Sequence, residues 1–347
     1  MFHFNTLLAL GFFLLSVSVL TLDQAATGAE GDLEVLVGPA QPIPPRTFSS
    51  ELDTPFAIEF DSAGRMLIVE YDGGRLLAWT KKGGLVHLAG DRSAGYRDGE
   101  AKLAAFNKLH NLAILADDTV LLSDHVNHAI RKYDPSSDTI STYAGNGKSG
   151  AAKDGVQVKD AVFDQPICVA LSPDQNKLLV ADINNRVLRS INLPGGLVSI
   201  VAGNGTKGHI VEGAVATQTP LDDPRAAIQN DAGEIWFVQR NAHSLHKIDA
   251  DGLVTTVAGD GKPGQTDGKA NQAKFNGPKH MCFGPGGTVF IADDNNHAIR
   301  KYDPATHAVS TVDLGEYRLN RPHGVCVNDG WLYIADSFHH RILRVKL

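Results

Sequence analysis

One segment pattern recurs six times in this chain of 347 residues, beginning at Pro55, Leu109, Pro166, Pro224, Pro278 and Pro322. "PICVALSPDQNKLLVADINNRVLRSI" and "PKHMCFGPGGTVFIADDNNHAIRKY" show it well. A short apolar run is followed by an Asp/Gly/Pro turn, a second apolar run ending near "AD", another turn and a third run. These are strand signals punctuated by turn residues. A fourth run, such as "GLVSIVAGNG" or "GLVTTVAGDG", closes most units. A unit of this kind cannot bury both its faces alone, so a recurring period implies stacking against copies of itself. Four antiparallel strands repeated six times predict an all-β fold, a six-bladed β-propeller.

The two ends of the repeat region predict how the ring closes. The sixth unit stops after its third strand at Leu347, while "DLEVLVGP" ahead of the first unit resembles the fourth-strand runs. Leu33–Val37 is therefore expected to complete the sixth blade beside 341–346, removing a free edge. Residues 30–347 form one propeller domain in this reading. The apolar run Thr6–Leu22, followed by small residues around Ala25–Ala29, reads as a signal peptide over 1–29. An uncleaved anchor is the alternative, because the run approaches the length that spans a bilayer. The expected protein is secreted or extracytoplasmic, with no membrane span once the leader is removed.

A residue type that recurs at one position in several blades is read as scaffold. Four residues after the acid of "AD" stand His128, Arg186, His243, His297 and His340, with Gly74 in the weak first copy. The acids Asp124, Asp182, Asp293 and Asp336, replaced by Glu70 and Gln239, precede a turn whose amides they are suited to accept from. Asp98, Asp154, Asp267 and Glu212 also read as turn chemistry. "GNGKSG" and "GDGKPG" lack the strand-to-helix context of a phosphate loop. Cys168, Cys282 and Cys326 lie in apolar runs and read as buried thiols acting as small hydrophobes.

Positions that vary between blades carry the functional reading. In a propeller the loop entering each innermost strand reaches the channel mouth. The residue after each unit's first position is Phe56, His110, Ile167, Arg225, Lys279 and His323, and the next is Ala57, Asn111, Cys168, Ala226, His280 and Gly324. The expected mouth gathers His110, His280 and His323 as candidate metal ligands, since neutral imidazoles from separate strands suit Zn²⁺. Arg225 is the candidate catalytic cation, suited to a carboxylate or to developing negative charge. Lys279, Asn111 and Phe56 are candidate binding residues.

"P-H-G-V-C-V", "Y-I-A-D" and "N-H-A-I-R" resemble the NHL repeat, and the resemblance covers nearly everything after the leader. It implies the propeller and leaves activity open, because such folds host unrelated functions. The histidine set is similar to that of peptidylglycine amidating lyase, also a six-bladed NHL-type propeller. That likeness implies a zinc site on His110, His280 and His323, with Arg225 contributing. The family's catalytic tyrosine has no assignable match in the sequence. Gluconolactonase-like propellers hold a divalent cation through Glu, Asn and Asp, and only Asn111 fits at the mouth.

A net charge of −7 opposes a polyanion binder. Although NHL domains of tripartite-motif proteins bind RNA, that balance and the leader argue against nucleic acid here. The preferred reading is a monomeric recognition module that binds a protein, peptide or small-molecule ligand through the channel mouth. The alternative is a zinc-dependent lyase or hydrolase, with gluconolactonase-like activity behind it. Recognition is preferred because the catalytic constellation is incomplete.

Overall fold

The computed structural model describes residues 33–39 and 51–347, and the predicted leader over 1–29 lies outside them. Six antiparallel sheets of four or five strands follow one another along the chain. The first blade runs Pro55–Phe60, Met66–Glu70, Leu76–Thr80 and Gly84–Ala89. The innermost strands of the next five are Leu109–Ile114, Pro166–Leu171, Pro224–Gln229, Pro278–Phe283 and Val325–Asn328. Among the described residues no helix is long and apolar enough to cross a membrane. Leu33–Val37 pairs antiparallel with Arg341–Lys346, Leu33 opposite Val345 and Val35 opposite Leu343, which completes the sixth blade as expected.

The blades' second strands are continuously apolar because each is covered on both faces. In Lys177–Asp182, Leu178 and Val180 pack with Leu121 and Ile130 of the second blade, while Leu179 and Ala181 pack with Phe237 and Leu245 of the fourth. Alternate residues of one strand thus enter two different cores. The hydrophobic interior is distributed between blades, which holds the inner strands at fixed positions around the channel.

The recurring polar residues fasten the start of each inner strand. In every blade the second-strand acid or its substitute accepts the amide two residues before the first residue of the repeat unit: Asp53 to Glu70, Asn107 to Asp124, Asp164 to Asp182, Asp222 to Gln239, Asn276 to Asp293 and Asn320 to Asp336, at 2.6–2.8 Å. The turn histidines act between blades. His128, His243, His297 and His340 adopt left-handed φ of 50–53°. Their Nδ1 atoms accept the amides of Gln165, Gly277, Arg321 and Thr54 in the next blade at 3.0–3.2 Å. Asp98, Asp154, Asp267 and Glu212 differ from the expected local turn bonding. They reach across to the fourth strand and accept the amides of Thr142, Ile200, Thr311 and Thr256.

Behind the acids, Arg131, Arg189, Arg300 and Arg341 are buried and pair with Asp124, Asp182, Asp293 and Asp336 at 2.7–3.3 Å. Stripping one partner from such a pair leaves a charge in an apolar interior. The fourth blade uses a neutral version, with Gln239 Nε2 and His246 Nε2 3.0 Å apart.

Candidate ligand site at the channel mouth

A β-bulge at the same place in five inner strands explains how the mouth is furnished. Pairing with the second strand skips a residue between Pro55 and Ala57, Leu109 and Asn111, Pro166 and Cys168, and Pro224 and Ala226, and skips two between Pro278 and Met281. The skipped residues are Phe56, His110, Ile167, Arg225, Lys279 and His280. A bulge frees a residue from the ladder and re-aims its side chain. In the sixth blade the regular strand begins only at Val325, and His323 is held by its amide donating to the Ala335 carbonyl at 3.0 Å.

The mouth has two unlike halves. On the side of blades six, one and two, Phe56 is sandwiched between Tyr71, with centroids 4.2 Å apart at 16°, and His323, at 3.9 Å and 10°. His110 presents an edge to this stack, 4.5 Å from His323 and 5.3 Å from Phe56, and His125 lies 5.7 Å beyond. His323 Nε2 and His125 Nδ1 are buried with no hydrogen-bond partner among the described residues. Burial, followed by nearby cations and histidines, holds His110 and His323 well below the usual imidazole range and brings His125 down to about 4. These rings are neutral at physiological pH.

The opposite half is charged. Arg225 pairs with Asp223 at 2.8 Å, and Arg240 approaches the same carboxylate at 3.8 Å. Lys279 and Arg321 share Asp294, at 3.1 and 2.6 Å. Arg225 and Lys279 are thus ion-paired rather than isolated cations. Four cations divide two carboxylates, which leaves this half net positive. Burial draws the Lys279 amine down to about 8 against the opposing pull of Asp294.

Asn111 and His280 are one residue deeper and face each other from blades two and five, opposite positions in a ring of six. Asn111 Nδ2 and His280 Nε2 are 2.9 Å apart, and both residues are buried. Asn111 Oδ1 accepts the Val169 amide and His280 Nδ1 the Val325 amide, each at 3.3 Å. Both therefore fasten the inner strands together and form a floor beneath the mouth.

Zinc, which the resemblance to the amidating lyase implies, meets these residues unevenly. His110 and His323 are adjacent and uncharged, but both ring nitrogens of His280 are engaged by Asn111 and Val325. Among the described residues no three His, Cys, Asp or Glu side chains are placed to hold one metal ion. As placed, the three histidines do not form a ligand set.

Tyr71, His125, Arg240 and Asp294 belong to the mouth and escaped the reading of strand starts. All four occupy one repeat position, directly after the fastening acid, where Ile183 and Ser337 complete the ring. The signal was available: this position varies from blade to blade as widely as the strand start, beside a neighbour that barely changes.

The NHL repeat family model matches residues 319–344, which begin just ahead of the sixth unit and cover most of it. Protein SUPPRESSOR OF QUENCHING 1, chloroplastic, of Arabidopsis thaliana is 23% identical over 76% of this chain and 27% of its own length. NHL repeat-containing protein 2 of Gallus gallus is 25% identical over 84% of this chain and 46% of its own. The chain thus spans between about a quarter and a half of these relatives' lengths. Among solved structures, an auxiliary nutrient binding protein from Bacteroides ovatus is similar with a TM-score of 0.64 at 13% identity, covering 90% of this chain and 76% of that one. Virginiamycin B lyase from Staphylococcus aureus is similar with a TM-score of 0.59 at 14% identity, covering 92% and 100%. At such identities the likeness concerns the fold.

Proposed function

Because this chain is an NHL-repeat six-bladed β-propeller, we propose that it is a binding module whose site is the channel mouth and whose ligand is a small organic anion with a flat apolar body. The observation that carries this reading is the division of the mouth: the Tyr71–Phe56–His323 stack with His110 on one side, an excess of cationic side chains on the other. A concave site lined by aromatic groups with a few convergent polar ones is the usual form of a small-molecule site. The anion's charge would meet Arg225 and Lys279. Its flat part would lie against the rings, and the unpartnered nitrogens of His323 and His125 would complete its hydrogen bonds. The nutrient-binding description of a similar fold supports the same kind of role. The apolar segment Thr6–Leu22 supports export, which N-terminal sequencing of the protein recovered from the medium of expressing cells would test.

Calorimetric titration with phenylacetate, with phenylacetamide as the uncharged control, tests the mouth. The carboxylate should bind and the amide should not, and Arg225→Gln should weaken the carboxylate roughly tenfold, the loss expected for one charge-assisted hydrogen bond. Equal binding of acid and amide, or an Arg225→Gln variant without effect, would remove this reading.

A metal-dependent lyase is the second reading, favoured by the adjacency of His110 and His323. Metal analysis of the purified protein separates the two. Stoichiometric zinc lost in His110→Ala and His323→Ala variants supports the lyase, whereas trace metal with intact phenylacetate binding supports recognition.

A further inference from the structure

The channel has a second chamber on the far side of the Asn111–His280 floor. Inner strands start at the mouth, so their later residues line the opposite end: Glu59, Ala113, Ala170, Ile228 and Cys282 contribute, with Gln229 at the rim. The chamber holds about 280 Å³ and opens to solvent; most of its lining side chains are apolar, while backbone and polar groups supply about half of the accessible wall. Glu59 is the one carboxylate among its lining residues, none of which is Lys or Arg. Its described side-chain partner is the Cys326 thiol, 3.7 Å from Oε2, and no ion pair among the described residues includes it. The remaining titratable groups near it, Cys168, Cys282 and His280, are uncharged at neutral pH, because burial raises both thiols and lowers the imidazole. The two ends of one channel therefore carry opposite electrostatic demands, excess cation at the mouth and an uncompensated acid here.

We propose that this chamber is a second ligand site, which takes a small primary amine with an apolar body whose ammonium pairs with Glu59. A half-buried charge without an ionic partner is costly, and a ligand that supplies the opposite charge removes that cost while its apolar part covers the apolar side chains of the lining. Burial alone raises the Glu59 carboxyl to about 7, so at mildly acidic pH the chamber holds a neutral acid. Binding then exchanges a proton for the ligand: the ammonium enters, the O–H bond of Glu59 breaks, and one proton leaves to solvent.

Benzylamine is the probe, with benzyl alcohol as its neutral counterpart of nearly equal shape. Calorimetry in buffers of different ionisation enthalpy should show the amine binding with about one proton released near pH 6 and almost none above about pH 8.5, where Glu59 is already ionised. Glu59→Gln should weaken the amine at least roughly tenfold. Ala170→Phe, which fills the chamber and leaves the acid in place, should abolish binding. Phenylacetate binding at the mouth should be unchanged in both variants, so this proposal and the mouth reading fail separately. Equal binding of the alcohol, amine binding without proton release near pH 6, or an amine that ignores Ala170→Phe would overturn the second site.

Discussion

His323 lies flat on Phe56, centroids 3.9 Å apart and planes 10° from parallel, although the two residues stand near opposite ends of the chain. Ring closure brings the sixth blade beside the first and makes the contact. His323 has its Nε2 buried and unpartnered, so it has hydrogen-bonding capacity to offer a ligand, whereas His297 spends its Nδ1 on the Arg321 amide. His323→Ala should therefore weaken phenylacetate binding roughly tenfold, alongside the stability cost of removing a buried ring packed on Phe56, and His297→Ala should cost about 1 kcal/mol of stability and leave binding unchanged. Titration and chemical denaturation of both variants check this, and equal effects on binding would show that repetition does not separate scaffold from site.

Closure itself is open to test. Leu33–Val37 pairs with 342–345 through a ladder interrupted by one irregularity between Val35 and Val37, and Glu34 pairs with Arg344 at 2.7 Å. A chain beginning at Glu51 should lose roughly 3–6 kcal/mol relative to one beginning at Glu30, from uncovered Leu and Val side chains and an exposed strand edge. Urea midpoints of the two chains give the comparison, and matching midpoints would contradict the pairing.

Ligand binding at the mouth should depend on pH through Lys279. Its amine is drawn down to about 8, so it loses its charge, and its attraction for a carboxylate, as pH rises through that value. The histidines take up protons only at about 4 or well below the usual imidazole range, so they add no dependence between about pH 5.5 and 7.5. Phenylacetate affinity should be flat across that interval and fall above about pH 8, and Lys279→Met should abolish the fall.

Glu59 should oppose stability as pH rises. Its carboxyl is raised in the fold from 4.5 to about 7, so between those values the folded chain holds a proton that the unfolded chain has released. Stability from this group is full below about pH 4.5, declines up to about pH 7 and is level above. Because the chamber admits some water, the effect is discounted to about 1–2 kcal/mol. Thermal denaturation of Glu59→Gln and the unaltered protein should show the variant gaining relative stability across that interval, and parallel profiles would contradict it.

The repeat alone determined the architecture, the closing strand and the scaffold role of the "NH" histidines and "AD" acids, because each of these depends on a local pattern that every blade must satisfy. Phe56, His110, Arg225, Lys279 and His323 were legible as mouth residues for the same reason: one position per unit, freed by a bulge in the first, second, fourth and fifth blades and lying ahead of the regular strand in the sixth. Tertiary structure alone decided what those residues meet. Asp223 and Asp294 take up the cations, Tyr71 joins Phe56, and Asn111 engages His280 across 169 positions of sequence. Neither the acid at 59 nor the thiol at 326 marks a chamber until the ring sets them 3.7 Å apart. The physical reason is that a blade's own hydrogen bonds specify where a side chain sits within its unit, whereas contacts between units follow from the curvature and closure of the whole ring, to which no single period in the sequence corresponds.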